Sequence, residues 1–284
     1  MGRSCILTDN AAQFTRPIFS GYKNLLFLEE NVEIQKDVIL DLRKARVSDF
    51  PKHINAAFPV RLLPLSPEEI KEKLHLFSQT YDDIFILLVS RDLHPIYNII
   101  EDLIQNIHGR ATIHLLDTQS VAIGEGQIIQ IAADLVERGG NGMRIEEQLR
   151  VAIPHVYTLL STPNYSYLYN SGFLDLGQAV SGEILSFLPI FNLEDGKLNP
   201  VEKVKNVRNV IDYFIEFIDE FEDISNISMI QPSPNGFSES KLIRQHIDEF
   251  FPETSYSEHP INPFLASLIG PQGTGIIITE SISL

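Results

Sequence analysis

An uninterrupted apolar run at residues 84–89, ended at once by a polar turn, most constrains what this chain can fold into. Such a run predicts a strand buried on both faces, as in a parallel sheet covered by helices. Ser90, Arg91, Asp92 and His94 follow it, and Pro95 opens a helical segment. Open α/β sheets hold their ligands at the carboxyl ends of their strands. The sequence therefore predicts a ligand site at this turn.

Strands and helices alternate through the first half of the chain. Apolar strand patterns at 4–8, 38–42, 84–89 and 111–116 are interleaved with helical patterns that start near 67, at 96 and before 128. Residues 11–37 show no single period, and we assign them no structure. Alternation of this kind predicts right-handed crossovers and a parallel sheet. We expect residues 1–153 to form an N-terminal doubly wound parallel α/β domain.

A proline-rich stretch interrupts this half at residues 50–67. It carries four prolines and no stable period, which predicts an irregular loop that crosses toward the second domain. Ser66 is a good N-cap for the helix that follows, with Pro67 at its first position and two glutamates in its first turn.

The second half, residues 154–284, predicts an α+β domain with a mostly antiparallel sheet. Asp195-Gly196 favours a type I′ hairpin turn between two short strands. The other patterns predict strands at 156–160 and 226–231, helices at about 176–187, 205–223 and 238–250, and two terminal strands, FLASLIG (264–270) and GIIIT (275–279), joined by a glycine-rich loop.

Composition excludes several classes of partner. Lys and Arg total 22 against 38 Asp and Glu, a net charge of −16. Nucleic acids and anionic membranes need a positive surface, so neither is expected as a partner. No run approaches the roughly 18–20 apolar residues of a membrane span, and the N-terminus lacks the apolar region of a secretory signal. We expect a cytoplasmic protein with Cys5 buried, no metal and no cofactor.

Two patterns suggest other chemistry but lack its full signature. Gly124-Glu125-Gly126 and the glycines of 270–275 match no phosphate-binding motif, and Glu125 would repel phosphate. Asp9, Asp117 and His94 could meet at the carboxyl edge of the parallel sheet, as in a hydrolase. No Ser or Cys sits in a nucleophile-elbow pattern, however, and aspartates at strand ends usually form turns. We expect no enzyme, and the hydrolase is the least favoured alternative.

The helix predicted at 205–223 carries many acids opposite its apolar stripe. Asp212 and Glu216, four residues apart, repel each other by a few tenths of a kcal/mol. This face is typical of solvent exposure, and a docking surface is the alternative.

Several segments, in order, resemble the DegV family of bacterial fatty-acid-binding proteins. They are ILTDNAAQF (6–14), PLSPEEI (64–70), ILLVSRDLHPIYN (86–98), LLDTQSVAIGEGQIIQIAADLVERG (115–139), PIFNLEDGKLNPVEKVKN (189–206) and IGPQGTGIII (269–278). The resemblance spans nearly the whole chain. It implies a two-domain fold with one fatty acid buried between the domains, and several members deliver that acid to a fatty-acid kinase.

The head-group positions depart from the family pattern. The family's loop threonine aligns with Leu62, and the histidine before the terminal Gly-Pro aligns with Leu268. The family's S-S-G-L-S-G-T turn is Ser90 to Ile96 here, so that Ser90 and Leu93 alone persist. The basic positions of Y-L-R-K-G-G-R are replaced by Tyr169, Asn170 and Phe173.

The resemblance therefore implies a non-catalytic lipid-binding protein with an interdomain tunnel and non-standard head-group recognition. The ligand-binding residues we expect are Leu62, Ser90, Arg91 and Leu268. Arg91 either anchors the head group or pairs with an acid at the surface, and we favour the surface pair. A member that has lost lipid binding and acts as an interaction or structural protein is the main alternative. A fatty-acid kinase is the partner class that the family implies, but we expect this chain not to support acyl phosphate formation.

Overall fold

A computed structural model describes residues 3–36, 38–55, 59–232 and 236–282. The first half holds seven strands and four α-helices in the described ranges. They are β1 (Ser4–Thr8), β2 (Leu25–Phe27), β3 (Asn31–Ile34), β4 (Ile39–Asp41), β5 (Val60–Leu63), α1 (Pro67–Thr80), β6 (Asp83–Leu88), α2 (Ile96–Ile104), β7 (Thr112–Asp117), α3 (Ile123–Arg138) and α4 (Gly142–Ala152).

The second half, over the same described ranges, contains six strands and five α-helices. They are β8 (Val156–Ser161), α5 (Tyr165–Asn170), α6 (Leu176–Leu185), β9 (Leu188–Glu194), β10 (Lys197–Val204), α7 (Val207–Ile218), β11 (Ile224–Gln231), α8 (Ser240–Phe250), β12 (Ser255–Pro260), α9 (Pro263–Ile269) and β13 (Thr274–Glu280).

The predicted parallel sheet is present, in the order β2-β1-β6-β7. Its pairs are all parallel, with Ile6 beside Phe85 and Leu87 beside Leu116. β6 lies inside the sheet, and the side chains of residues 84–89 are fully buried. The continuous apolar run thus has its expected cause, since both faces of the strand are covered.

A second, antiparallel sheet of three strands, β4-β3-β5, was not expected in this half. It contains part of the unassigned segment 11–37 and part of the proline-rich stretch. The strand predicted at 38–42 for the parallel sheet is also here, as β4, so that placement was wrong. The prediction of an irregular loop over all of 50–67 was wrong at Val60–Leu63, which pairs with β3. A strand of four residues between two prolines is too short to show a period. Ser66 does cap α1: its hydroxyl accepts a hydrogen bond from the Glu69 N–H, and Glu69 accepts one from the Ser66 N–H.

The second half forms a six-stranded sheet in the order β10-β9-β8-β13-β11-β12. All of its pairs are antiparallel except β11 with β12, which confirms the mostly antiparallel prediction. Asp195 and Gly196 join β9 to β10 with φ of 51° and 81°. A type I′ turn requires positive φ at both positions, so the hairpin prediction is confirmed.

The prediction of a strand at FLASLIG was wrong, because this segment is the helix α9. Asn262 accepts a hydrogen bond from the Leu265 N–H, Pro263 occupies the first turn, and Gly270 ends the helix at φ 89°. Residues 264–269 are buried all round. A short, fully buried apolar run has no periodicity that separates helix from strand.

The hydrophobic core has two parts. The larger one joins the parallel sheet and its helices to residues of α5 and α9, including Tyr167 and Phe264. The smaller one lies where α7 and α8 pack on the large sheet. The domain boundary at 153/154 stays a prediction, and side chains from both sides of it share the larger core. No helix in the described part of the chain is long and apolar enough to cross a membrane.

Candidate functional site

In the turn between β6 and α2, Ser90 and the backbone N–H groups that follow it are hydrogen-bonded to other groups of the protein. The Ser90 hydroxyl donates a 2.6 Å hydrogen bond to the Gly196 carbonyl oxygen in the β9–β10 turn. The N–H of Asp92 donates to the Ser90 hydroxyl oxygen, and the N–H groups of Leu93 and His94 donate to the Ser90 carbonyl oxygen. Ser90 and the amides that follow it are therefore engaged by the protein itself.

Arg91 lies on the surface of α2. Its guanidinium donates to Asn98 and to Glu101, each at 2.9 Å, and stacks over the Tyr97 ring at 4.4 Å from the ring centre. Its side chain is 39% exposed. The structure thus places Arg91 in a surface pair with Glu101.

Leu62 and Leu268, by contrast, line one cavity of about 320 Å³. Its walls come from β5, the β6–α2 turn, the end of α5, and α9. Its apolar lining is Val60, Leu62, Pro64, Leu93, Pro95 and Leu268. We call it the β5–α9 cavity, and it lies where the two halves of the chain meet.

Most polar groups in the wall of the β5–α9 cavity are already paired. The Asn170 amide donates to the Val60 carbonyl at 2.8 Å, and the hydroxyls of Ser171 and Ser267 donate to carbonyl oxygens of α9. Arg61 lies 3.8 Å from Glu33 and its side chain is 64% exposed. Among the polar lining residues, the exposed Arg61 has capacity for a ligand, whereas both ring nitrogens of His94 are buried.

His94 is buried beside a buried glutamate, Glu30. The Nε2 of His94 lies 3.8 Å from Oε1 of Glu30, and the imidazole makes an edge contact with the Phe264 ring. Both ring nitrogens and both carboxyl oxygens lack a hydrogen-bond partner among the described residues. Burial lowers the pKa of His94 to about 4, and burial together with the charge of Asp9 raises the pKa of Glu30 to about 9. At neutral pH the pair is therefore an uncharged imidazole facing a protonated acid.

Two further buried acids lie behind this pair. Asp9 accepts hydrogen bonds from the N–H groups of Ala11 and Val89, and burial raises its pKa to about 6. Glu125, in the first turn of α3, is buried beside Asp9, and burial raises its pKa well above the usual range. This interior accumulates carboxyl groups, and those groups disfavour any further negative charge.

The three residues of the hydrolase alternative do not assemble. Asp9 contacts its own turn, Asp117 accepts from the Gln119 N–H, and His94 faces Glu30. No hydrogen bond or ion pair joins any two of the three within the described ranges. The same ranges contain no group of three or more His, Cys, Asp or Glu arranged for a metal ion.

Sequence reasoning missed Glu30 and Arg61. Glu30 lies in the segment that we left unassigned, and a charged residue carries no sequence signal for complete burial. Gly124 and Gly126, which flank Glu125, serve packing: a Cβ at either would overlap the Ser120 hydroxyl or the Gln13 carbonyl.

A second apolar cavity, of about 490 Å³, lies within the second half beside α6. Its walls include Tyr165, Leu174, Leu185, Phe187 and Phe191. Neither Leu62 nor Leu268 lines it, so the two cavities are separate candidates for an apolar ligand.

A family model described as an uncharacterised protein of the DegV family matches residues 4–281. The chain belongs to the DegV family. A DegV domain-containing protein of Staphylococcus aureus is 25% identical over 222 residues, which is 77% of this chain and 76% of the relative.

Solved DegV structures share the fold of the whole chain. A fatty acid binding DegV family protein of Streptococcus agalactiae aligns with a TM-score of 0.83 and 17% identity, covering 99% of this chain and 100% of that one. The Fatty Acid Kinase (Fak) B3 protein of Streptococcus pneumoniae, loaded with linoleic acid, aligns with a TM-score of 0.83 and 14% identity over 98% and 100%.

Proposed function

We propose that this DegV protein binds a single acyl lipid, a fatty acid or a relative of one, in the β5–α9 cavity. The cavity itself carries the proposal: it is lined by leucines from both halves of a chain whose fold matches fatty-acid-binding proteins end to end. Its volume falls in the usual range of small-molecule sites, about 300–1,000 Å³. Burial of a long acyl chain contributes on the order of 10 kcal/mol before the costs of association.

Within this proposal Leu62 and Leu268 are wall residues that contact the chain of the lipid. Of the other expected ligand-binding residues, Ser90 holds the β9–β10 turn against the cavity region, and Arg91 lies outside the wall. Head-group recognition is thus assigned to neither. It falls to a group that the family pattern did not indicate, the exposed Arg61 of the cavity lining.

We also propose that the protein binds its lipid without transforming it. Asp9, Asp117 and His94 face different partners, so the hydrolase has no geometric support. Leu62 and Leu268 offer no hydrogen bond to an acyl phosphate, and a fatty-acid kinase is therefore not expected to find a productive substrate here. Formation of acyl phosphate by such a kinase with this protein as lipid donor would contradict that expectation. A cytoplasmic location stays a sequence-based prediction.

The test is direct binding. The purified chain is stripped of lipid and titrated with hexadecanoic acid and with hexadecan-1-ol, while displacement of a fluorescent apolar probe is followed. We expect saturable binding of one molecule, weakened at least about tenfold by Leu62→Asp, because a charge in an apolar wall is costly. Leu76→Asp, at an exposed leucine of α1, is the control. Failure of both lipids to bind would favour the alternative, an interaction protein without a lipid.

A further inference from the structure

Two neighbouring side chains at the end of α5 contact both walls of the β5–α9 cavity. The side-chain amide of Asn170 donates a 2.8 Å hydrogen bond to the carbonyl oxygen of Val60, on β5. The hydroxyl of Ser171 donates a 2.9 Å hydrogen bond to the carbonyl oxygen of Leu268, on α9. All four residues line the cavity. The end of α5 therefore connects two wall segments that come from different halves of the chain.

Both carbonyl oxygens lie where regular secondary structure leaves backbone groups unpaired. Within the described ranges β5 is an edge strand, since β3 is the only strand beside it. Leu268 lies in the last turn of α9, whose carbonyl groups have no partner inside the helix. Backbone groups at strand edges and helix ends need polar contacts from elsewhere in the fold. Here α5 supplies one such contact to each wall.

Two further contacts join α5 to the segment before β5. The Tyr167 hydroxyl donates to the Pro51 carbonyl oxygen at 2.6 Å, and the Ile54 N–H donates to the Ser166 hydroxyl oxygen at 3.2 Å. Tyr167 is fully buried and belongs to the core that the two halves share. The position of α5, and with it that of Asn170, is therefore fixed by core packing.

Resting on the proposed function, we propose that Asn170 and Ser171 are positioning residues, which fix the separation of the β5 and α9 walls and thereby the strength with which the cavity retains a lipid. An acyl chain is held by many dispersion contacts, and a gap of about 0.5–1 Å removes roughly a quarter to a half of each one. Leu62 and Leu268 contact the chain of the lipid, and the two positioning residues keep those walls in place.

The experiment follows the release of tritium-labelled hexadecan-1-ol from the loaded protein to an excess of phosphatidylcholine vesicles. This uncharged probe removes head-group charge from the comparison. Asn170→Asp keeps the size of the side chain but replaces its N–H donors by an acceptor, and Ser171→Ala removes one hydroxyl. We expect each variant to release the alcohol about fivefold faster than the wild type, which corresponds to roughly one hydrogen bond.

Tyr165→Phe is the matched control. The Tyr165 hydroxyl donates to the Phe187 carbonyl oxygen at 2.9 Å, so it also joins α5 to a backbone carbonyl. Both partners lie in the second half, and neither lines the β5–α9 cavity. In urea, lipid-free Ser171→Ala and Tyr165→Phe should lose similar stability, whereas Tyr165→Phe should release the alcohol at the wild-type rate. Equally fast release from both variants would overturn the inference, because the effect would then be one of stability.

Amide hydrogen exchange of residues 60–63 in the lipid-free protein reports on the β5 wall itself. We expect faster exchange in Asn170→Asp and wild-type exchange in Tyr165→Phe. Unchanged release or unchanged exchange in Asn170→Asp would overturn the inference and leave the proposed function standing. Faster release from Tyr165→Phe alone would place the lipid in the cavity beside α6, which Tyr165 lines, and would contradict both proposals. If the wild type binds neither hexadecan-1-ol nor hexadecanoic acid, both proposals fail.

Discussion

The hydroxyl of Ser90 and the carbonyl of Gly196 form a 2.6 Å hydrogen bond between positions 106 residues apart. Gly196 is buried, and its φ of 81° belongs to the left-handed region. A Cβ on Gly196 would lie 2.5 Å from the Ser90 hydroxyl oxygen. The contact joins the turn at the end of β6 to the β9–β10 hairpin of the second half. It leaves no room for a side chain at position 196.

Gly196→Ala is therefore expected to destabilise the protein by two separate costs. The left-handed backbone costs an alanine about 1 kcal/mol, and the overlap with Ser90 adds roughly 1–3 kcal/mol. Gly172→Ala is the matched control, since Gly172 has a φ of 78° and nothing within 4 Å of its Cβ position. Urea unfolding should show the larger loss at position 196, and equal losses would mean that the contact with Ser90 is not tight.

Arg91→Gln is expected to have little effect on lipid binding. The guanidinium pairs with Glu101 and stacks on Tyr97 at a partly exposed site, where such contacts contribute about 1 kcal/mol or less. The free energy of unfolding should change by no more than that amount. The dissociation constants of hexadecanoic acid and hexadecan-1-ol should stay within about twofold of wild type. A selective loss of hexadecanoic acid binding would identify Arg91 as a carboxylate anchor.

The buried acid Glu30 predicts a fall in stability toward alkaline pH. Its folded pKa of about 9 lies above the unfolded value of 4.5, so the folded state binds more protons between those limits and stability declines as pH rises. His94 acts oppositely, since its pKa falls from 6.5 to about 4, but its contribution is complete above pH 6.5. The decline between pH 6.5 and 9 thus comes from the acids, Glu30 together with Glu125.

Glu30→Gln removes one titrating acid from that range. The free energy of unfolding, measured in urea at pH 6.5 and pH 9, should fall less in this variant than in the wild type, by about 1 kcal/mol or more. Glu72→Gln, at an exposed glutamate of α1, should reproduce the wild-type decline. An identical decline in Glu30→Gln would show that Glu30 ionises freely in the folded protein.

The sequence correctly predicts those elements whose residue pattern is compatible with only one kind of secondary structure. The buried run of β6, the Asp195-Gly196 turn and the Ser66 cap each follow from local chemistry, and each is present. FLASLIG satisfies helix and strand equally, because it is buried on every side. The signal for a helix lies in the flanking residues, where Asn262 caps its start, Pro263 occupies its first turn and Gly270 follows its end.

The residues of the candidate site likewise divide into those that the sequence indicates and those that only the folded structure reveals. Leu62 and Leu268 were found by their positions in the family pattern, and they line one cavity. Glu30 could not be found, because charged residues are expected at the surface and only the tertiary packing buries this one. Ser90 and Arg91 were singled out for their chemistry, but the partners that engage them, Gly196 and Glu101, are set by the fold.

The central claim is that an acyl lipid occupies the β5–α9 cavity, and photo-crosslinking tests it most directly. A C16 alcohol with a diazirine in its chain is bound to the lipid-free protein and irradiated, and the labelled peptides are mapped by mass spectrometry. We predict labels on the segments that hold Leu62, Leu93 and Leu268, at one lipid per chain, displaced by unlabelled hexadecan-1-ol. Labels confined to the cavity beside α6, at Leu174, Leu185 or Phe191, or the absence of displaceable label, would contradict it.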